Sequence, residues 1–292
     1  MKPKIKINFT DFWRGRRFDK NSNFFTNLLR TKYDITISDD PDYLIYSCFG
    51  REHLKYDCVK IFYTGENRQP NLNECDYAIG FNYPPSNDRS IRFPLYFLYT
   101  QDYMLAKNKH LISDSEIERK VLFCNFIYSN GSAHRNRELF FDLLSKYKTV
   151  DSGGKIRNNL GYRVDDKLQF QKNYKFSIAF ENSTSEGYTT EKIIQAFAAQ
   201  TIPIYWGNPS IAKEFNPKAF INCHDFDSFE DVVKRIIEID KDKQLFSQML
   251  KEPIYSADVN PDEIGEKQLL EFLSSIFDSK YDLAFKRKID RR

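Results

Sequence analysis

The residues best suited to chemistry in this 292-residue chain follow the apolar run Phe176 to Phe180. There Glu181-Asn182-Ser183-Thr184-Ser185-Glu186-Gly187-Tyr188-Thr189-Thr190-Glu191-Lys192 forms a polar loop that runs into a helical pattern. Thr189 or Thr190 can cap that helix. A helix start offers unpaired backbone N–H groups and the positive end of its dipole, and Lys192 in the first turn adds a full charge, a combination that suits a diphosphate. Glu191 beside it would be available to ribose hydroxyls. The same Thr-Thr-Glu could serve only as a helix cap with an acidic first turn, although that alternative accounts for less of the loop. Neither G-x-x-x-x-G-K-[ST] nor G-x-G-x-x-G occurs, which excludes P-loop and dinucleotide fingerprints.

A second candidate is Tyr63-Thr64-Gly65-Glu66-Asn67, directly after the run Lys60 to Thr64, which puts Glu66 at the carboxyl end of a strand. Transferring a sugar to a hydroxyl needs a base for the acceptor proton, and a partly desolvated glutamate can act as one near neutral pH. On spacing alone a solvated turn glutamate fits as well. Ser129 to Arg137 leads into an apolar helix, and a guanidinium near its start could bind phosphate oxygens bidentately. Chemistry does not separate Arg135 from Arg137. Asp40-Pro41-Asp42 and Asp225-Phe226-Asp227 match D-x-D formally but read as turn and capping residues. His53, His110, His134 and His224 lack metal-ligand spacing, so no metal site is expected.

Positioning these groups requires an alternation of strands and helices. The runs Lys4 to Phe9, Asp34 to Ile37, Tyr43 to Cys48, Lys60 to Thr64 and Tyr77 to Phe81 read as strands, with Asn23 to Lys32 helical between the first two. Phe176 to Phe180, a helix from about Thr190 to Gln200, and Ile202 to Trp206 form a strand–helix–strand crossover. The pattern predicts two α/β domains facing each other, with ligands at the carboxyl ends of their strands and the Glu66 carboxylate in the cleft between them. A polar stretch from Lys107 to Lys120 marks the boundary. Glu266 to Phe277 is an amphipathic helix, followed by a basic tail through Lys286, Arg287, Lys288, Arg291 and Arg292. That end reads as a packed helix with a frayed, solvated tail, membrane-surface contact being the alternative.

Composition narrows the function further. With 44 basic and 41 acidic residues the net charge is +3, far too balanced for a chain whose main partner is nucleic acid. The fractions of hydrophobic (41%) and charged (29%) residues are those of an ordinary globular protein. Five widely spaced cysteines without a C-x-x-C pair suggest neither a disulfide framework nor zinc, and fit a reducing compartment. Met1 to Phe12 alternates lysine with isoleucine and lacks an uninterrupted apolar stretch, so a cytoplasmic location is expected.

Taken together, Phe180-Glu181-Asn182-Ser183, Gly187-Tyr188-Thr189-Thr190-Glu191-Lys192-Ile193 and Ile202-Pro203-Ile204-Tyr205-Trp206-Gly207 resemble the signature of the α1,3/4-fucosyltransferases, glycosyltransferase family 10, in its Helicobacter-type bacterial form. Phe62-Tyr63-Thr64-Gly65-Glu66-Asn67, Asp76 to Phe81, Gly153 to Gly161 and Phe215-Asn216-Pro217 extend the resemblance over most of the chain. It implies a GT-B-like α/β fold of two Rossmann-like domains: residues 1–115 for the acceptor, 116–270 for GDP-fucose, and 271–292 as the end of the last helix and its basic tail. It further implies inverting chemistry with no cofactor and no catalytic metal. Glu66 matches the general base, Lys192 and Arg137 the diphosphate ligands, Glu191 a ribose contact, and Asn182 and Tyr188 donor-site positions. Counting back from Phe140, Phe141 and Leu144 favours Arg137, with Arg135 still open. The implied partners are GDP-fucose and an N-acetyllactosamine-type glycan, fucosylated at O3 of its GlcNAc to a Lewis X-type product, plausibly on a lipopolysaccharide O-chain. An α1,4 or other linkage, or a non-catalytic glycan-binding protein on the same fold, are the alternatives. These 292 residues do not include the long heptad-repeat tail of some Helicobacter-type members, so membrane attachment through such a tail is not expected of them, and peripheral contact through the basic end is the alternative.

Overall fold

The computed structural model describes residues 1–13, 18–83, 88–257, 259 and 264–287. It divides into two compact units, Met1–Leu98 with Asn260–Arg292, and Tyr99–Val259.

The first unit is built on six parallel strands, β1 (Lys4–Thr10), β2 (Asp34–Ile37), β3 (Tyr43–Tyr46), β4 (Val59–Tyr63), β5 (Tyr77–Gly80) and β6 (Ser90–Arg92), in the order β2-β1-β3-β4-β5-β6. Every residue of β3 and β4 is buried, as expected for inner strands covered on both faces. Edge strand β2 alternates exposed and half-buried positions. Helix Phe24–Arg30 starts where the Asn23 side chain accepts from the Thr26 N–H at 3.1 Å, and it buries Phe25, Leu28 and Leu29. Helix Glu266–Phe277 belongs to this unit: its Phe277 ring meets the rings of Tyr33 and Tyr43 at 5.7 and 4.5 Å.

The basic tail departs from the solvated end expected of it, as far as Arg287. The backbone N–H groups of Lys286 and Arg287 donate to Asp76 Oδ1 at 2.8 and 2.9 Å, and Arg287 Nε donates to Asp76 Oδ2 at 2.9 Å. Asp76 is fully buried, so its carboxylate needs these donors, and the tail is held by that need. Lys288, Arg291 and Arg292 lie outside the described residues.

The second unit carries five parallel strands, β7 (Leu122–Phe126), β8 (Val150–Ser152), β9 (Tyr174–Phe180), β10 (Ile202–Trp206) and β11 (Ile221–Asn222), ordered β11-β10-β9-β7-β8. Its core joins Phe126, Phe140, Phe176, Phe180, Ile204 and Ile236. Helix Thr100–Lys107 packs here against helix Glu191–Ala198, where Gln195 Nε2 donates to Asp102 Oδ2 at 3.0 Å. Each sheet reverses its winding once, between β1 and β3 in the first and between β7 and β9 in the second. Loops leaving the carboxyl ends of strands at such a switch point diverge and leave a crevice for ligand.

Candidate active site

In the second unit the chain leaving β9 meets the chain leaving β7. Glu181, the first residue past β9, continues the ladder by donating its N–H to Trp206 O at 2.8 Å, and it is fully buried. Its carboxylate accepts from Thr190 N (2.7 Å) and Thr190 Oγ1 (2.6 Å), and lies 3.1 Å from Lys192 Nζ. The Lys192 ammonium also donates to Thr190 Oγ1 at 2.8 Å and stands 3.3 Å from Glu191 Oε1. Glu181 thereby closes the twelve-residue loop onto the start of the helix it feeds. Thr190 occupies the cap position, but its hydroxyl is spent on Glu181 and makes no capping bond to the first turn. The positive end of the helix dipole faces this corner, which favours an anion there.

Charge in this corner is set by opposing effects. Burial pulls the Lys192 ammonium down, yet Glu181 and Glu191 together outweigh it and hold the group firmly protonated. Burial raises the Glu181 carboxyl against the pull of Lys192. For Glu191 burial also acts upward, but Lys192 and Lys167 outweigh it and keep the carboxylate ionised.

The loop is fixed from behind as well. Asn208 is fully buried; its Oδ1 accepts from Gly187 N at 2.8 Å, and its Nδ2 donates to Glu214 Oε1 at 2.8 Å. Thr189 Oγ1 donates to the same Glu214 oxygen at 2.6 Å. Gly187 adopts φ +79°, a conformation that favours glycine. Tyr188 is buried between these anchors. At Gly207 a Cβ would lie 2.3 Å from Glu181 Cγ, so only a glycine lets β10 pass this closely.

From the β7 side comes Arg137, in the first turn of helix Asn136–Leu144 and only 2% exposed. Its Nη2 donates to Phe180 O at 3.0 Å and Asn182 Oδ1 at 2.9 Å, and its guanidinium sits over the Tyr128 ring, 3.9 Å from the centroid. Tyr128 OH in turn accepts from Phe180 N and donates to Ile178 O. Arg137 Nε has no partner among the described residues. Arg135, at the cap position of the same helix, is exposed. The fold therefore brings Arg137 to Asn182, and Lys192 to Glu191, at the carboxyl end of β9, while Arg135 points to solvent.

Glu66 belongs to the first unit, three residues past β4, and is half-buried. The Thr64 hydroxyl accepts from Glu66 N (3.0 Å) and donates to Glu66 O (2.9 Å), a side-chain turn that fixes the backbone bearing the carboxylate. Cys48 Sγ lies 3.8 Å from Thr64 Oγ1; burial pushes its thiol up, and the Glu66 carboxylate adds to that shift.

Sequence reasoning did not single out Glu181, Lys167 or the buried pair Asp11–His53, where Asp11 Oδ2 meets His53 Nδ1 at 2.7 Å at the end of β1. For Glu181 a signal existed, an acidic residue directly abutting a mostly apolar strand. The D-x-D segments lie outside both clusters: Asp225 Oδ1 accepts from Asn222 Nδ2 at 2.7 Å as a local turn contact. Among the described residues no three His, Cys, Asp or Glu side chains converge as a metal site, and no helix is long and apolar enough to cross a membrane.

Comparison with known proteins places this geometry. Residues 7–99 match the α-(1,3)-fucosyltransferase FucT N-terminal domain, and residues 117–251 match the C-terminal domain of glycosyltransferase family 10 (fucosyltransferase). The chain is 36% identical to the α-(1,3)-fucosyltransferase FucT of Helicobacter pylori over 95% of its own length and 66% of that protein's. It is 31% identical to a putative fucosyltransferase of Acanthamoeba polyphaga mimivirus, covering 79% of this chain and 37% of the relative. The chain thus spans just under two thirds of the first of these proteins and far less of the second. A crystal structure of an α1,3-fucosyltransferase with GDP-fucose superposes with a TM-score of 0.81 at 31% identity, covering 96% of this chain and 93% of that one. The two doubly wound units form a GT-B-like α/β fold, and the chain belongs to glycosyltransferase family 10, the fucosyltransferases.

Proposed function

We propose that the protein is an inverting α1,3-fucosyltransferase that moves L-fucose from GDP-β-L-fucose to O3 of the GlcNAc in an N-acetyllactosamine-type glycan, in the cytoplasm and without a catalytic metal. The observation that carries the reading is the cluster of basic side chains at the carboxyl end of β9. There Lys192, the start of helix Glu191–Ala198 and the buried Arg137 converge within one unit.

In this reading the donor diphosphate lies against the helix start, with Lys192 and Arg137 on its oxygens and the Arg137 Nε proton available to it. Glu191 accepts from ribose hydroxyls, and Asn182, already oriented by Arg137, and Tyr188 line the same site. Glu66 takes the proton of the acceptor hydroxyl as that oxygen forms its bond to the anomeric carbon. The bond from that carbon to the diphosphate breaks on the opposite face, its electron pair leaving with GDP. Fixed cations stabilise the charge that grows on the leaving group, the role a divalent ion would otherwise have. An α-fucoside results from the β-linked donor. A lipopolysaccharide O-chain is the natural acceptor we favour.

The test is incubation with GDP-fucose and N-acetyllactosamine in EDTA, with the product read by mass and its linkage by NMR. A trisaccharide with fucose α-linked to O3 of GlcNAc is expected. Turnover that appears only after Mn²⁺ or Mg²⁺ is added would sink the metal-independent mechanism, and the absence of GDP-fucose binding would sink the donor assignment.

A further inference from the structure

Lys192 faces two carboxylates, Glu181 at 3.1 Å and Glu191 at 3.3 Å, so this side of the corner is net negative on its own. A diphosphate would be repelled by whatever part of that charge is not offset. The offsetting cation comes from outside the motif. Lys167 opens the short helix Lys167–Gln171 and is partly buried; its Nζ donates to Gln195 Oε1 at 2.7 Å, and Gln195 Nε2 donates to Asp102 Oδ2 at 3.0 Å. Gln195 lies one turn beyond Glu191 on the same face of its helix, so the ammonium held by Gln195 is directed along the row that carries Glu191.

We propose that Lys167 is a positioning residue of the nucleotide site. Held by Gln195 beside Glu191, it supplies the positive charge that lets Lys192 and the helix start accept a nucleoside diphosphate. The inference rests on the donor reading given above.

The charged groups facing Lys167 are Glu191, Lys192, Asp102 and Glu181. Burial is the largest influence on the ammonium and pushes it down to about 8, against the opposing pull of Glu191. An anion bound nearby favours the protonated form, so nucleotide affinity should be greatest below that value and fall as pH rises through it. Arginine stays charged throughout this range.

The experiment is calorimetric titration of the full chain with GDP, GMP and guanosine, comparing wild type with Lys167→Met and Lys167→Arg from pH 7 to 9.5. At pH 7 Lys167→Met should weaken GDP roughly 10-fold, the scale of one partly screened charge several ångströms away, GMP less, and guanosine not at all. Wild-type GDP affinity should decline above about pH 8, and Lys167→Arg should lack that decline, with guanine ionisation common to both proteins. Equal losses for guanosine and GDP in Lys167→Met, or a Lys167→Arg profile that follows wild type, would overturn the proposal, leaving the donor reading intact. Absence of GDP binding by the wild type would overturn the donor reading, and this inference with it. If Lys167→Met does not fold, the comparison of Lys167→Arg with wild type decides alone.

Discussion

The loop Glu181–Lys192 and the turn Thr64–Asn67 both leave the carboxyl end of a buried inner strand, yet they are held in different ways. The loop is closed by a fully buried carboxylate with two hydrogen bonds to Thr190 and an ion pair to Lys192, and it is braced from behind by Asn208 and Glu214. The turn is shaped by the Thr64 hydroxyl and by the Arg68 N–H donating to Glu66 O at 2.7 Å, and Glu66 is half-buried. A site that must hold a diphosphate gains from donors fixed before the ligand arrives. A base that must take a proton from a passing hydroxyl needs a carboxylate that the acceptor can reach. In the proposed function the same strand-end location would serve donor binding at the tied-down loop and proton transfer at the Thr64–Asn67 turn.

The strongest way to break this contrast is Lys192→Ala. It strands Glu181, whose side chain is 0% exposed, without its cation. Removing one partner of a buried pair costs about 3–5 kcal/mol, so a large drop in melting temperature is expected together with loss of GDP affinity. Glu181→Gln added to the variant should restore much of the stability and none of the affinity. Full GDP affinity in Lys192→Ala would remove it from the donor site.

Glu66→Ala should behave in the opposite way. The Thr64 hydroxyl that shapes the turn stays in place, so stability should shift less than in Lys192→Ala. GDP titration should be unaltered while turnover falls about 100-fold, the usual contribution of a general base. Unchanged turnover would take Glu66 out of the mechanism.

A smaller effect separates the two regions at their glycines. A Cβ at Gly207 would meet Glu181 Cγ at 2.3 Å, and Glu181 cannot yield without breaking its bonds to Thr190 and Lys192. A Cβ at Gly65 would meet Leu95 Cδ1 at 2.7 Å, the tip of a side chain that can rotate away. Gly207→Ala should cost about 1–3 kcal/mol and Gly65→Ala less than about 1 kcal/mol, read as denaturation midpoints. The reverse order would mean that the loop is softer than its bonding suggests.

Much of this arrangement was legible in the sequence where apolar runs were long. β2 and β10 and helix Glu266–Phe277 fall on the segments their periodicity marks, and β9 and its helix within two residues of theirs. β6 and β11 did not announce themselves, being edge strands of three and two residues whose register is dictated by their neighbours. The motif residues could be named but not paired. No pattern in Thr-Thr-Glu-Lys says that the threonine hydroxyl turns back to Glu181 instead of capping the helix, because that choice depends on where β10 lies. Arg135 and Arg137 differ only in helical phase, and the phase that buries Arg137 over Tyr128 is set by packing against β9.

The smallest effect concerns protons. The second unit buries lysines that serve as donors to carbonyls. Lys109 Nζ donates to the carbonyls of Met249, Leu250 and Glu252 at the end of helix Lys243–Lys251, and Lys120 Nζ to those of Lys172 and Ala199. Burial pushes Lys109 down to about 7 and Lys120 to about 8. A depressed lysine sheds its proton in the folded state while the unfolded chain, with an ordinary value near 10.5, still holds it. The unfolded state then binds more protons, and stability rises with pH across that window. Between pH 7 and 8 the Lys109 share amounts to about 1 kcal/mol. Urea midpoints at these two pH values should therefore increase for the wild type. Lys109→Met should start from a lower stability, its three carbonyls having lost their donor, and should show a flatter rise. An equal rise in both proteins would assign the pH dependence to Lys120 and Lys167 and mean that Lys109 keeps its proton in the folded state across this window.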